Sequence, residues 1–395
     1  MSSAAIMSCF LKMRGPATSL RAFIFIACLW VYAARCAAGD WVYFGTYTTG
    51  DSRGIYTARM GADGLLEAPR LAAPARNPAF LATDSRHRFL YAICEITNAA
   101  GKRRGGLRAY AIDPQSGNLS SLNERIAGDD VLCHVSVDAS NRVVLAASYA
   151  GGSVASFPIQ PDGSLGERAS YVKHTGSSVN PANQKSPHAH CVVADPENRR
   201  ALVCDLGIDK IIGYGLDAAT GRLSTNGQTG TAAAPGAGPR HLAFHPNGRF
   251  AYVVNEMGCD IIAMTYDPVR GSLAQIQTLS ALPDGREPGR GLSGAEIAVH
   301  PSGKFLYCST RGIDQVNVFA VNPSNGTLTP IEHVSSGGHI PRSFAIDPSG
   351  RYLVAANQNS NDVVSFRIDP DTGKLTPLGK VPLASPSCVL FVSQK

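Results

Sequence analysis

A short phrase recurring at steps of roughly fifty residues, little helical periodicity beyond the N-terminal segment, and a lone strand left over at each end predict an all-β fold. The expected architecture is a seven-bladed β-propeller with blades of four antiparallel strands. In its clearest form the phrase reads Ala243-Phe244-His245-Pro246-Asn247-Gly248-Arg249-Phe250-Ala251-Tyr252, and it returns over 298–309 and 345–354. Weaker copies centre on Asp84, Asp138 and Asp195. Measured on the His or Asp, positions 84, 138, 195, 245, 300 and 347 lie 54, 57, 50, 55 and 47 residues apart.

Each unit follows one grammar. A short apolar strand ends at the His or Asp, and a tight turn of the Pro-x-Gly kind follows. A second strand such as 305–309 leads through a polar loop to a third, Gln315-Val316-Asn317-Val318-Phe319-Ala320-Val321. The turn Pro323-Ser324-Asn325-Gly326 then opens a fourth strand at Thr327. Six such units leave two remainders that fit together. Trp41-Val42-Tyr43-Phe44-Gly45-Thr46-Tyr47 reads as a second strand with no first, and Ser387-Cys388-Val389-Leu390-Phe391-Val392 as a first strand with no second. A seventh blade assembled from both ends closes the ring and leaves no open sheet edge there. About 357 residues after position 38 give 51 per blade, which fits seven better than six or eight.

Residues 1–38 hold Lys12, Arg14, Arg21 and Arg35, no acid, and the 13-residue apolar run 22–34. A basic start, a short apolar core and small residues before a polar segment read as a signal peptide cut after Ala38. The run is short for a membrane span, so a propeller over 39–395, exported to the periplasm or secreted, is expected with no stable membrane insertion. Without the leader, the formal charge of +6 falls to +2, and no basic stripe points to nucleic acid. Seven cysteines remain, an odd number with no Cys-x-x-Cys, and most sit in apolar runs as small hydrophobes do. A monomer is expected.

Topology locates the candidate site. Consecutive strands are antiparallel, so residues before strand one and after strand two converge on one face near the axis. Before strand one stand His134, His188, His190, Arg240, His241, Glu296 and Arg342. After strand two stand Glu95, Tyr149, Asp205, Asn255, Glu256, Arg311, Asn357 and Gln358. Imidazoles, guanidinium groups and carboxylates in one recess supply general acid–base groups and anion clamps. Arg240 and Arg342 could instead pair with Glu256 and Glu296 to join blades. His245, His300 and Asp347 belong to the repeat and are read as turn caps or blade-packing groups. Pro187-His188-Ala189-His190 puts two imidazoles on one strand face, but no third ligand accompanies them, so no metal and no cofactor are expected. There is no P-loop or His-Glu-x-x-His.

Several phrases together resemble one family. They are Ser186-Pro187-His188-Ala189-His190, Asp205-Leu206-Gly207-Ile208-Asp209-Lys210, Gly238-Pro239-Arg240-His241, Asn255-Glu256, Ala295-Glu296-Ile297, Ser309-Thr310-Arg311-Gly312, Pro341-Arg342-Ser343-Phe344 and Ala356-Asn357-Gln358-Asn359-Ser360. The chain from 43 to 392 is similar to the lactonase family that contains bacterial 6-phosphogluconolactonase of the seven-bladed type and fungal carboxy-cis,cis-muconate lactonizing enzyme. One departure is Thr310, where the family more often has Asn. The resemblance implies catalytic residues His190, Arg240, Glu256 and Arg311, with His188 adjacent. It implies hydrolysis of a sugar lactone without metal or cofactor, Glu256 or His190 acting as base and the arginines binding the oxyanion or a substrate acid group. Arg342 would be a further clamp, and Glu296, Asn357 and Gln358 would bind sugar hydroxyls. Lactonization of a carboxymuconate and a non-catalytic exported binding propeller are the alternatives. The leader favours these somewhat, or a lactonase acting on unphosphorylated aldonolactones.

Overall fold

Seven sheets of four strands account for the strands of the described residues, and in each the neighbours are antiparallel. The computed structural model describes residues 39–128 and 131–393, so the expected leader lies outside the described residues. Both chain ends share one sheet: β28 (Pro386–Val392) lies beside β1 (Trp41–Thr46), which continues to β2 (Gly54–Arg59) and β3 (Arg70–Pro74). Phe44 pairs with Val389 and Trp41 with Val392, so the seventh blade is built from both ends as the sequence implied. The innermost strands are β4 (Leu81–Thr83), β8 (Leu132–Val137), β12 (Ala189–Ala194), β16 (Pro239–Phe244), β20 (Ser293–Val299), β24 (Pro341–Ile346) and β28. Each touches the next in that order and β28 returns to β4, which closes the ring.

The hydrophobic core lies between blades. One cluster joins Tyr252, Val254 and Ile261 of one blade to Leu306, Cys308 and Phe319 of the next. Residues on both faces of a blade are therefore buried, and the inner strands read as nearly continuous apolar runs. All seven described cysteines are free and buried or half-buried in these layers.

The repeat phrase caps its own turn. One carboxylate oxygen of Asp84 accepts from the backbone N–H groups of Arg88 and Phe89, Asp138 and Asp195 act alike, and Asp347 accepts from Tyr352 N. His245 and His300 cap the turn differently, accepting from the N–H two residues on and reaching the next blade. His245 Nδ1 accepts from Asn247 N, which leaves its Nε2–H to donate to Gly303 O of the next blade at 2.9 Å. His300 repeats the bond to Gly350 O at 2.8 Å. Gly303 has φ +73°, and a Cβ there would stand 2.7 Å from the His245 ring, so both backbone and contact require glycine. A second set of ties escaped the sequence reading. The hydroxyls of Tyr43, Tyr91, Tyr252 and Tyr307 donate to the carbonyls of Gly117, Gly163, Gly326 and Gly373, each in the following blade. Tyr352 adds a fifth by donating to Ala62 O.

Candidate active site

Residues from six blades wall one cavity of about 290 Å³. The innermost strands supply Leu132, Cys133, His190 and Arg342, and the ends of second strands supply Tyr47, Tyr149, Glu256 and Arg311. A local irregularity puts several of these side chains there. In β8, β12, β16, β20 and β24 the pairing with the second strand slips near its start, skipping Cys133, His190, Arg240, the pair Ala295 and Glu296, and Arg342. A bulge re-aims a side chain that the regular pleat would turn into the core. In five blades the slip falls at the same distance from the repeat phrase.

Polar residues at the ends of the second strands divide into two kinds. Asn255 and Asn357 lie inward and tie the following loop, donating to Asp260 and Asp362 at 2.5 and 2.9 Å. Thr310, the departure noted above, occupies the same position and accepts from Asn317 at 3.3 Å. The next residue faces the cavity in three of the blades, as Tyr149, Glu256 and Arg311. Glu256 is fixed from both sides, since its N–H donates to Gly238 O and its carbonyl accepts from Gly294 N.

At the centre, Glu256 Oε2 accepts from Arg240 Nε at 2.9 Å and lies 3.0 Å from Arg311 Nη2. Arg240 is only 2% exposed, and its Nη1 donates to Ala295 O at 2.6 Å. The pairing of Arg240 with Glu256 thus joins blades and builds the site at once. Burial works to raise the pKa of Glu256, but the charges of Arg311, Arg240 and Arg342 together outweigh it and hold the carboxyl below its ordinary value. Burial, with Arg311 and Arg342 nearby, pushes Arg240 down to about 10, so it remains a cation at neutral pH. Arg342 lies over the Tyr47 ring at 5.4 Å and forms no ion pair among the described residues. Three cations against one carboxylate make the cavity a place for an anion or a developing oxyanion.

His190 Nε2 stands 4.0 Å from Glu256 Oε2, and its Nδ1 is buried without a partner. Burial first, then the charges of Arg240, His241, Arg342 and Arg311, hold its pKa well below the ordinary imidazole range. It is a neutral base at physiological pH. His190 lines the cavity and His188 does not. The His188 ring stacks on Tyr149 at 4.4 Å, and its Nδ1 donates to Tyr149 O. Glu296 is turned away from the cavity: its Oε1 accepts from His241 Nδ1 at 2.7 Å and from Ile297 N at 3.1 Å. Gln358 also lies off the cavity wall, with its Oε1 buried and unpartnered. Among the described residues no three His, Cys, Asp or Glu side chains are grouped to hold a metal ion. Tyr47, which the position after the second strand marks as plainly as Tyr149, went unread in the sequence.

Known proteins share this frame. The model of the seven-bladed β-propeller lactonase family matches residues 41–391. A 6-phosphogluconolactonase of Bacillus subtilis is 41% identical over 303 residues, 76% of this chain and 83% of that protein. A 6-phosphogluconolactonase of Formosa agariphila is 33% identical over 68% of this chain and 74% of its own length. The solved structure of a periplasmic gluconolactonase from Pseudomonas aeruginosa superposes with TM-score 0.82 at 33% identity, covering 90% of this chain and 99% of that one. A match over nearly the whole ring, with relatives at this level of identity, means that the chain belongs to the seven-bladed β-propeller lactonase family.

Proposed function

We propose that the protein hydrolyses a sugar lactone of the 6-phosphogluconolactone or aldonolactone kind, opening the ring to the free acid in the cavity around Glu256. One observation carries this reading: a carboxylate clasped by two guanidinium groups beside a neutral imidazole, with a third arginine across the same recess. The names of the Bacillus and Pseudomonas relatives support it. His190 Nε2 takes a proton from water as the oxygen attacks the lactone carbonyl. Arg311 and Arg342 stabilise the oxyanion or hold an acid group of the substrate. When the intermediate collapses, the carbonyl carbon–ring oxygen bond breaks and the leaving oxygen recovers the proton. Glu256, ionised between Arg240 and Arg311, is a weaker candidate for the base and serves to set the guanidinium groups. His188 supports the Tyr149 wall, and no metal takes part.

The test is a panel of phosphorylated lactones, plain aldonolactones and carboxymuconates on protein lacking residues 1–38, followed by acid release or uptake. Lactone turnover that survives EDTA is expected. Glu256→Gln and Arg240→Ala should each lower it at least ~100-fold in a folded protein. Turnover of muconate alone would replace hydrolysis by lactonization, and no turnover at all would leave a binding propeller. Export is proposed on the sequence of residues 1–38 and on the periplasmic relative. N-terminal sequencing of protein recovered outside the cytoplasm should begin at Gly39.

A further inference from the structure

A neutral imidazole among three arginines is a poor place to store a proton, and the structure offers a way out behind it. The rings of His190 and His241 meet edge to face with centroids 5.2 Å apart. Two buried nitrogens in this contact have no partner, Nδ1 of His190 and Nε2 of His241. The third imidazole nearby does not supply one. His134 Nδ1 accepts from Val192 N, and its Nε2 faces Cys191 Sγ at 3.7 Å.

The tautomers follow from the partners that exist. Glu296 carries a carboxylate, so His241 Nδ1 bears the proton of their 2.7 Å bond and His241 Nε2 holds a lone pair. A lone pair buried there calls for a donor, and since the two nitrogens do not bond each other directly, His190 Nδ1–H is that donor through one bridging water. At 4.0 Å, Glu256 is too far to hold a proton on the other nitrogen of His190. We infer that Glu296 and His241 are positioning residues, which fix His190 as the Nδ1–H tautomer so that its Nε2 lone pair faces the cavity. The inference rests on the reading of His190 as the base of lactone hydrolysis.

The arrangement also moves charge the right way. As His190 Nε2 takes the proton of the attacking water, its Nδ1 proton passes to the bridging water, which gives one of its own protons to His241 Nε2, and the imidazolium so formed lies against the Glu296 carboxylate. The same protons return when the leaving oxygen is protonated. On the cavity side the pair faces Arg240, Arg311, Arg342 and Glu256. On the inner side it faces Glu296, His134 and Cys191. The positive charge therefore leaves the arginines for the one carboxylate behind them.

The tautomer can be read on the free protein by nitrogen NMR of labelled histidines, with His190→Gln identifying the signal. At pH 7 the expected pattern is a protonated Nδ1 and a bare Nε2, and an Nε2–H tautomer overturns the inference. Glu296→Gln should lower kcat about 100-fold with KM little changed, and should turn the His190 signal into a mixture of tautomers. Glu296→Asp should recover part of both. Unchanged kcat and an unchanged His190 signal in Glu296→Gln also overturn the inference. Because the first measurement needs no substrate, a protein that turns over no lactone would sink the functional reading without deciding the tautomer.

Discussion

Glu256 shows how one residue's environment selects its role. A carboxylate is the usual first choice for a general base, yet here two guanidinium groups share one of its oxygens. Their charges keep it ionised and make it reluctant to take a proton. Burial first, and then the same charges, keep His190 neutral. The sign of the pH dependence follows: the base stays unprotonated down to pH values well below the ordinary imidazole range. A rate profile in kcat/KM should therefore be flat from pH 7.5 through 6.5, with its acid limb at lower pH. An acid limb centred near 6.5 would mean that the titrating base is a solvated imidazole and not His190. Both candidate bases were legible in the sequence through the family phrases. The proposed choice of His190 rests on the distances, because no spacing reveals which carboxylate two arginines will share.

The element that sets the site is the bulged start of an innermost strand together with the close of the second strand beside it. Counted from the repeat phrase, the bulged residue lies five positions before the His or Asp at Cys133, His190, Arg240 and Arg342. The cavity-facing residue lies eleven positions after it at Tyr149, Glu256 and Arg311. That ruler was present in the sequence, but the slip in pairing was not, so Asn357 and Glu296 were expected on the wall beside their neighbours. Asp205 shows the same loop-closing device, accepting from the N–H groups of His188 and Gly207. A Cβ on Gly207 would fall 2.0 Å from Ser186 O and 2.7 Å from His188 N, both backbone atoms that cannot swing aside. Gly207→Ala should therefore displace the Pro187–His190 segment and lower lactone turnover by tenfold or more, about 1.4 kcal/mol in barrier. Activity equal to the parent would show that this segment does not position the base. The blade ties are separable from the site. Tyr252→Phe removes the bond to Gly326 O and should cost about 1–2 kcal/mol in denaturant unfolding while leaving kcat unchanged.

Across the whole molecule, the ring couples stability to the protonation of its centre. His190 and His241 have pKa values below those of unfolded histidine, because burial and the arginines disfavour their charged forms. The unfolded chain then binds protons that the folded chain refuses, so their contribution is fully present above about pH 6.5 and is lost as pH falls. Glu256 and Glu296 are held below the ordinary carboxylate value, and their contribution is lost further down, as pH falls through their folded values. Both pairs act in one direction. Thermal unfolding should shift to lower temperature on acidification from pH 7 to 5, and His241→Gln should shrink that shift. A melting temperature that rises over this range would contradict the assignment of neutral histidines. Deleting 386–395 should be more severe, since it strips β28 from the blade that holds the ends of the ring together.

The sequence by itself determined the blade count, the strand order and the closing of the ring by both chain ends. These depend on a repeat period and on strand alternation, which are local properties carried in every copy. It also named His190, Arg240, Glu256, Arg311 and Arg342 through phrases shared with a family. Only the tertiary structure decided what each of them touches. Glu296 belongs to His241 and not to the cavity, Asn357 to its own loop, and His188 to the ring of Tyr149. For Glu296 and for Arg240 the physical reason is that the slip in pairing takes the side chain out of the alternating pattern. Its partner then comes from another blade some fifty residues away, where no local rule reaches.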